Sequence, residues 1–354
     1  MTSVSRLTIG LDLGDTTSDV CVLDPHQREV ERRPLATTRE SLTALFDRYP
    51  GSTVVFEVGS QSRWVQQLAR ERGAGKVIAA NPRQLKLISE SRSKGDRKDA
   101  YLLCRAGQGL PELLHPVEHR SEAVHIDLLT MRVHDHLVAQ RTEIVNMIRS
   151  MVKTTGAKLP KCDAQGFYVK ARPLIPESLR EVCEPLFSVL EKLHEELRRL
   201  ARQRKALMNK YPIAKLLSTI PSVGEITVLT FVLTVEDPRR IHDTRNIGAY
   251  FGIVPRRKES GDSSPQLGIT KAGDTRMRRL LVLCAQHLLA RGKDCMLKRW
   301  GLALCQRGGR NAKKRAVVAV ARKLAVHMLA IWKSGEAYDC WRGAPADLIP
   351  TEAT

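Results

Sequence analysis

The stretch Leu7-Thr-Ile-Gly-Leu-Asp-Leu-Gly-Asp-Thr-Thr-Ser-Asp-Val-Cys-Val-Leu23, followed after Pro25–Gln27 by Glu29-Val-Glu-Arg-Arg33, decides how the chain begins. Its β-branched and apolar runs, bounded by Gly, Asp and Pro, read as strands over Leu7–Leu13, Asp19–Leu23 and Glu29–Arg33 with a turn at Pro25–Gln27. Within the first of these, Asp12 stands between two leucines. A carboxylate on a central strand is costly unless it meets a cation or several donors, so Asp12 asks for a compensating partner.

Working outward, Thr37 with Glu40 three residues later has the spacing of a capping box and predicts a helix to about Tyr49. Thr53–Glu57 reads as a buried strand, Gln61–Arg72 as a helix, Lys76–Ala80 as a strand and Asp96–Gly107 as a helix. Three strands, helix, strand, helix, strand, helix is the order of the RNase H-like fold, an α/β unit with a mixed sheet. That order sets Glu57, at the end of its strand, beside Asp12. Lys94-Gly-Asp-Arg-Lys-Asp-Ala100 adds Asp96 and Asp99, three apart and so on one helical face. Each acid alone has an ordinary structural explanation, as a strand-end charge or as a helix N-terminal residue favoured by the dipole. Four converging acids repel one another unless a divalent ion neutralises them, and hard Mg2+ takes both carboxylate and phosphate oxygens. The reaction class that follows is phosphoryl transfer, with Asp12, Glu57, Asp96 and Asp99 as metal ligands.

Beyond this unit the periodicity turns helical. Ile126, Leu129, Val133, Leu137, Ile144, Ile148 and Met151 keep steps of three, four or seven, as do Leu179, Val182, Leu186, Val189, Leu193, Leu197 and Leu200. A break at Gly156–Pro160 separates the two patterns, and Tyr211-Pro212 closes the second. They read as two antiparallel helices, or half of an intermolecular bundle, because seams of this length often join subunits. From Leu216 the chain is helical and richer in Gly, Pro and basic residues, ending in an amphipathic helix around Asn311–Trp332. The division expected is 1–110, an RNase H-like α/β domain; 111–205, a helical segment; and 206–354, a mostly helical domain.

Lys and Arg total 58 against 38 Asp and Glu, a net charge of +20 in 354 residues, which is the electrostatic footprint of a phosphate-rich partner. The eight cysteines form no C-x-x-C pair, so a zinc ribbon is not expected and the thiols read as reduced packing residues. His134/His136 and His115/His119 lack a third ligand of suitable spacing and read as solvated. The N-terminal Met-Thr-Ser-Val-Ser-Arg is not an apolar signal run. No stretch has the roughly 18 apolar residues of a membrane span. A cytoplasmic location is the expectation.

The motif densest in chemistry is Phe251-Gly-Ile-Val-Pro-Arg-Arg-Lys-Glu-Ser-Gly261, with Gly268-Ile-Thr-Lys271, Gly273 and Arg276-Met-Arg-Arg-Leu280 after it. Ser260 sits beside a glycine among Arg256, Arg257, Lys258, Lys271 and Arg276, where a hydroxyl can approach a phosphate whose charge is held by cations. Gly308-Gly-Arg-Asn-Ala-Lys-Lys-Arg315 places Arg310, Lys313, Lys314 and Arg315 just before the last helix, as backbone-contacting residues. Leu217-Ser-Thr-Ile-Pro-Ser-Val-Gly-Glu-Ile226 resembles a helix-hairpin-helix phosphate clamp with Ser222 in place of one glycine, and reads equally as a packing corner.

Asp12, Glu57 and Lys-x-Asp-x-x-Asp-Ala at Lys94–Ala100, together with the serine region, resemble the signatures of the DEDD-type insertion-sequence transposases of the IS110 family, relatives of the Piv DNA invertases. The likeness extends over nearly the whole chain and implies that 1–110 is a RuvC-like domain, 111–205 a coiled-coil spacer and 206–354 a transposase domain. It implies a DNA recombinase with a magnesium-dependent RuvC-like site and a separate serine nucleophile, and it singles out Ser260 over Ser263 and Ser264 because the family serine directly precedes this glycine. The resemblance further implies double-stranded DNA and a structured noncoding guide (bridge) RNA as partners. It also implies a homo-oligomer, dimer or tetramer, whose two half-sites come from different protomers. Two other readings stand beside it. Ile9-Gly-Leu-Asp-Leu-Gly-Asp-Thr-Thr-Ser18 also looks like the first phosphate loop of an actin-like, ATP-dependent sugar kinase, and the carboxylates alone would suit a RuvC-like nuclease without serine chemistry.

Overall fold

A computed structural model describes residues 7–82, 96–257 and 267–344, with side chains in the second stretch from Lys98 onward. Ser260, Lys258, Ser263, Ser264 and the Asp96 side chain lie outside the described residues. The chain divides into two compact units, Met1–Ser121 and Glu122–Thr354.

The first unit is built on a five-stranded mixed sheet: β1 (Thr8–Asp12), β2 (Thr17–Leu23), β3 (Glu29–Ala36), β4 (Thr53–Glu57) and β5 (Lys76–Ala80), in the order β3-β2-β1-β4-β5. β1 and β2 pair antiparallel, as do β2 and β3, whereas β1, β4 and β5 run parallel. Period-two alternation sends Ile9, Leu11, Val20, Val22, Val54 and Phe56 to one face. There they form a core with Leu42 and Phe46 of α1 (Arg39–Arg48) and Val65 and Leu68 of α2 (Ser62–Glu71). Fully burying each large apolar side chain of this kind stabilises by about 1.5–3 kcal/mol. The opposite face carries α3 (Asp96–Gly109) through Cys21, Val55, Ile78, Ala100, Leu103 and Cys104.

Two local expectations change. β3 runs three residues past Arg33, through Pro34, which an edge strand tolerates because its missing N–H faces away from a neighbour. The cap of α1 is Thr38, whose side chain accepts a hydrogen bond from the Ser41 backbone N–H; Thr37 instead exchanges a 2.7 Å hydroxyl contact with Ser18. Glu40 is therefore a first-turn acid and not the partner in a capping box.

The second unit is helical. Its two longest helices, α4 (Glu122–Thr154) and α6 (Arg180–Lys210), pack antiparallel, with the short α5 (Phe167–Ala171) between them in sequence. The start of α4 meets the end of α6 around Leu128, Met131 and Leu207, while Val145, Ile148 and Val152 meet Cys183, Phe187 and Leu190 at the other end. The expected rows are buried in part: Ile148 on α4 and Leu193, Leu197 and Leu200 on α6 are buried, whereas Ile126 and Val133 are 54% and 50% exposed and Val182 and Val189 on α6 are also exposed. At the start of α4 two neighbouring rows are apolar, and contact with α6 and the C-terminal core selects Leu128 and Met131.

That core centres on α8 (Glu225–Val235), buried on every side from Thr227 to Val235, as a helix apolar all round should be. Around it pack α7 (Ile213–Leu217), α9 (Ile247–Tyr250), α10 (Thr275–Arg291), α11 (Met296–Gln306) and α12 (Ala312–Ser334). No helix among the described residues is long and apolar enough to cross a membrane.

Candidate active site

The carboxylate face is set by a close approach of helix to strand. A Cβ on Gly10 would lie 2.1 Å from the Ala100 carbonyl oxygen, so only glycine lets α3 rest on β1 there. Cys104, one turn further along α3, donates its thiol to the carbonyl oxygens of Thr8 and Cys21 at 3.2 and 3.0 Å. Cys104 at Thr8 and Ala100 at Gly10 fix the direction of α3, which runs back along β1 and aims its first turn, Asp96 and Asp99, at the Asp12 end.

Register brings Glu57 to the same end. β4 pairs with β1 as Gly10↔Val55 and Leu11↔Phe56, so Glu57 falls beside Asp12 on the face where Val55 meets Gly107 of α3. Burial, and then the negative charge of Asp99, push the Glu57 carboxyl above the ordinary glutamate range. Strand register and the seat of α3 thus place Asp12, Glu57 and Asp99 at one end of the sheet. Sequence reading missed Asp19, the register partner of Asp12 across the β1–β2 pair and so on the same face. The signal was available, since Asp12 and Asp19 flank a short connection between two antiparallel strands.

Among the described residues no three His, Cys, Asp or Glu side chains are spaced to hold a metal ion, and the Asp96 side chain is not among them. The donor set is all carboxylate oxygen, and its like charges are held close enough to raise Glu57. Both properties fit a hard divalent cation.

In the second unit, the two flanks of residues 258–266 are paired. Arg256 donates its backbone N–H to Gly268 at 2.9 Å, Thr270 to Val254 at 2.9 Å and Lys271 to Gly252 at 3.0 Å, with a bridge between Pro255 and Ile269. A Cβ on Gly252 would meet Ala272 N at 2.5 Å, so glycine permits this turn. These flanks and the start of α12 line one cavity of about 680 Å³, with Pro255, Leu267, Arg310, Lys314, Arg315 and Arg322 in its wall. Two basic segments separated by more than forty residues in sequence are thus brought together. Gly308, Gly309 and Asn311 all adopt positive φ, which folds the basic turn back ahead of the helix. Arg256, Arg257, Lys271, Arg310, Lys313, Lys314 and Arg315 are exposed, and Arg322 is a further exposed cation that the motif search passed over.

Arg276 is different. Its guanidinium forks onto Asp135 of α4 at 2.5 and 3.1 Å, and its side chain is only 12% exposed. Arg279 joins the same carboxylate at 2.9 Å, and Arg278 holds the Phe251 carbonyl at 3.0 Å. Burial alone would raise Asp135, but hydrogen bonds from His134 and Arg276 and the charges of Arg276 and Arg279 hold it down at about 2. The Arg-Met-Arg-Arg motif therefore fastens the flank of the serine region to its scaffold, and Arg276, expected at a phosphate, is engaged by Asp135. His134, expected to be solvated, is half-buried and serves Asp135. In the clamp-like segment Ser222 takes positive φ, the conformation of the glycine it replaces, and its hydroxyl meets His287 Nδ1 at 3.0 Å.

Comparison with known proteins finds relatives along most of the chain. The model of the transposase IS116/IS110/IS902 family matches residues 214–300, and the transposase model for the DEDD domain of IS110 matches residues 9–156. The transposase for insertion sequence element IS1111A of Coxiella burnetii is 27% identical over 347 residues, 94% of this chain and 91% of its own length. The transposase for IS1328 of Yersinia enterocolitica is 28% identical over 80% of this chain and 84% of its own. The pilin gene-inverting protein of Moraxella bovis is 23% identical over 95% and 98%. The DEDD match implies dependence on a divalent metal and leaves no place for a sugar-kinase reading of residues 9–18. The chain belongs to the IS110 family of transposases, enzymes that cleave DNA and transfer its strands.

Proposed function

We propose that this transposase divides its chemistry between an RNase H-like carboxylate site that holds magnesium and a serine nucleophile on a basic face. The observation that carries the first half is the placement of Asp12, Glu57 and Asp99 at one end of the sheet, where burial and then the charge of Asp99 push the Glu57 carboxyl up. Asp96, one turn from Ala100 on the same helix, completes the ligand set. Bound there, Mg2+ supplies positive charge to a scissile phosphate. The carboxylates fix its position, and the rigid seat of α3 on Gly10 fixes theirs.

Ser260 is the nucleophile in this reading. Its hydroxyl oxygen attacks the phosphorus while the bond to the 3′ oxygen breaks. The serine proton is lost, the leaving 3′ oxygen gains one, and the product is a 5′-phosphoserine with a free 3′-hydroxyl. Attack by a 3′-hydroxyl reverses the step, so the phosphoester energy is retained. What supports this half is the paired flanks of residues 258–266 opening on the cavity walled by Arg310, Lys314, Arg315 and Arg322, where strand phosphates find cations. Lys258 belongs to the same basic group by sequence. The kinship with a pilin gene-inverting protein suits recombination that both cuts and rejoins.

The two long helices act here as a spacer (111–205) between the catalytic domains 1–110 and 206–354 and join protomers, with Ile126, Val133 and Val182 left exposed for that purpose. A structured guide RNA enters on the strength of the family resemblance. The test is a denaturing gel of end-labelled element DNA with magnesium. Parent protein leaves a slow, protease-sensitive adduct on the 5′ end, Ser260→Ala does not, and Ser263→Ala and Ser264→Ala do. Cleavage without any adduct would return the site to an ordinary RuvC-like nuclease.

A further inference from the structure

Between α4 and α6 the burial is uneven. On α4 the buried residues end at Met131 and resume at Val145, about three turns later, while α6 stays buried over that stretch at Leu193, Leu197 and Leu200. That stretch holds a cleft of about 410 Å³, walled by His134, Arg141, His194, Arg198 and Arg204, with Gln165 from the loop ahead of α5.

Charge in the cleft is one-sided. Arg204 is neutralised by Glu225 at 3.0 Å, but no acid pairs with Arg141 or Arg198 among the described residues, and the Arg141 Nε is buried without a hydrogen-bond partner. A buried donor left unmade costs about 1–3 kcal/mol, more when charged. His194 is 6% exposed and packs against Tyr168, with ring centroids 5.4 Å apart. Burial, with the charges of Arg198 and Arg141, lowers its affinity for a proton. Cations that crowd one another around a half-enclosed space lack an anion, and two guanidinium forks match the oxygens of a phosphate.

The geometry points to a phosphate-binding site in this cleft, seated by Arg141 and Arg198 with His194 at its back, and occupied by a backbone phosphate of bound nucleic acid. Nothing in the carboxylate or serine chemistry uses these residues, so the inference stands apart from that reading. With the net charge of +20, a strand phosphate is the source favoured over a free one.

The test uses the full chain. Inorganic phosphate is titrated while the His194 imidazole signal is followed by NMR in histidine-labelled protein, assigned with His194→Gln. Separately, a labelled DNA duplex and a labelled RNA hairpin are bound at several salt concentrations by parent, Arg141→Gln/Arg198→Gln and Arg141→Lys/Arg198→Lys proteins. The expected result is a saturable shift of the His194 signal, and a fall of about one unit in the log–log salt slope for at least one oligonucleotide in the Gln variant, since each B-DNA phosphate contributes about 0.9 and a single-stranded one about 0.7. The Lys variant, which keeps the charge, restores the slope. A moved His194 with unchanged slopes keeps the phosphate site and assigns it to free phosphate. An unmoved His194 together with parental slopes in the Gln variant, its helicity intact, overturns the proposal.

Discussion

The acidic end of the sheet and the arginine-rich segments of the helical unit are both marked by charge, yet charge has different meanings in the two. At the sheet, strand register leaves little freedom: once β1 and β4 pair, Asp12 and Glu57 are neighbours, and Gly10 fixes where α3 delivers Asp99. In the helical unit an arginine reaches far enough to serve either solvent or a buried acid. Arg276 goes to Asp135 while Lys314, equally conspicuous in sequence, faces the cavity at the start of α12. Acids on strands can be assigned from topology; cations on long side chains need their partners seen.

This contrast is most sharply broken at the carboxylates. Asp12→Asn and Asp99→Asn should each lower strand cleavage by at least about 10²–10³-fold, the order lost with one electrostatic element of an active site, while binding to labelled DNA stays near parental. In Asp99→Asn the Glu57 carboxyl should also titrate lower, because one of the two causes holding it up is removed. Carbon NMR of labelled glutamate reads this directly. An unmoved Glu57 would separate the two acids and break the convergence.

Next comes the seat of α3. Gly10→Ala sets a methyl 2.1 Å from a backbone oxygen, which cannot rotate away. A loss of about 3 kcal/mol is expected, at the upper end for overpacking, with cleavage lost as Asp96 and Asp99 shift. Gly109→Ala on the same helix, with nothing within 4 Å of the added carbon, should stay within about 0.5 kcal/mol of parent in urea unfolding.

For the scaffold arginines, the Asp135 carboxyl is held near 2 in the folded protein against an ordinary 3.8. A depressed folded value stabilises above the unfolded one and is lost as pH falls through the folded one. About 2 kcal/mol is therefore present at neutral pH and disappears between about pH 4 and pH 2. Asp135→Asn should be less stable by about that amount at pH 7 and approach parent at the acid end. The smallest effect separates the two kinds of cation: Lys314→Gln or Arg322→Gln should lower the salt slope of DNA binding by about 0.9, whereas Arg276→Gln should change stability and leave the slope alone.

How much was legible follows the same line. All five strands, the positions of α1 to α3 and the approach of three acids are readable because period-two alternation and parallel pairing fix each side chain's face. The buried row at the start of α4 is not, because Ile126, Leu129 and Val133 make as good a stripe as Leu128 and Met131 until α6 is docked. Asp19 escapes because its place is set by a cross-strand register, and Arg322 because it sits nearly three turns into α12, beyond the basic cluster that draws attention. The cleft at His194 has no sequence motif at all; it exists only where two helices leave a gap.

The central claim, a serine nucleophile that depends on a separate carboxylate site, is met most directly by trapping the intermediate. Element DNA carrying a nick just 3′ of the scissile phosphate lets the cleaved end diffuse away, and peptide mass spectrometry after digestion finds where the 5′ nucleotide is attached. The account predicts one modified peptide bearing the mass of a phosphonucleotide on Ser260, absent from Asp12→Asn and Asp99→Asn protein. A phosphonucleotide on any other residue, or full cleavage with no modified peptide, would contradict it.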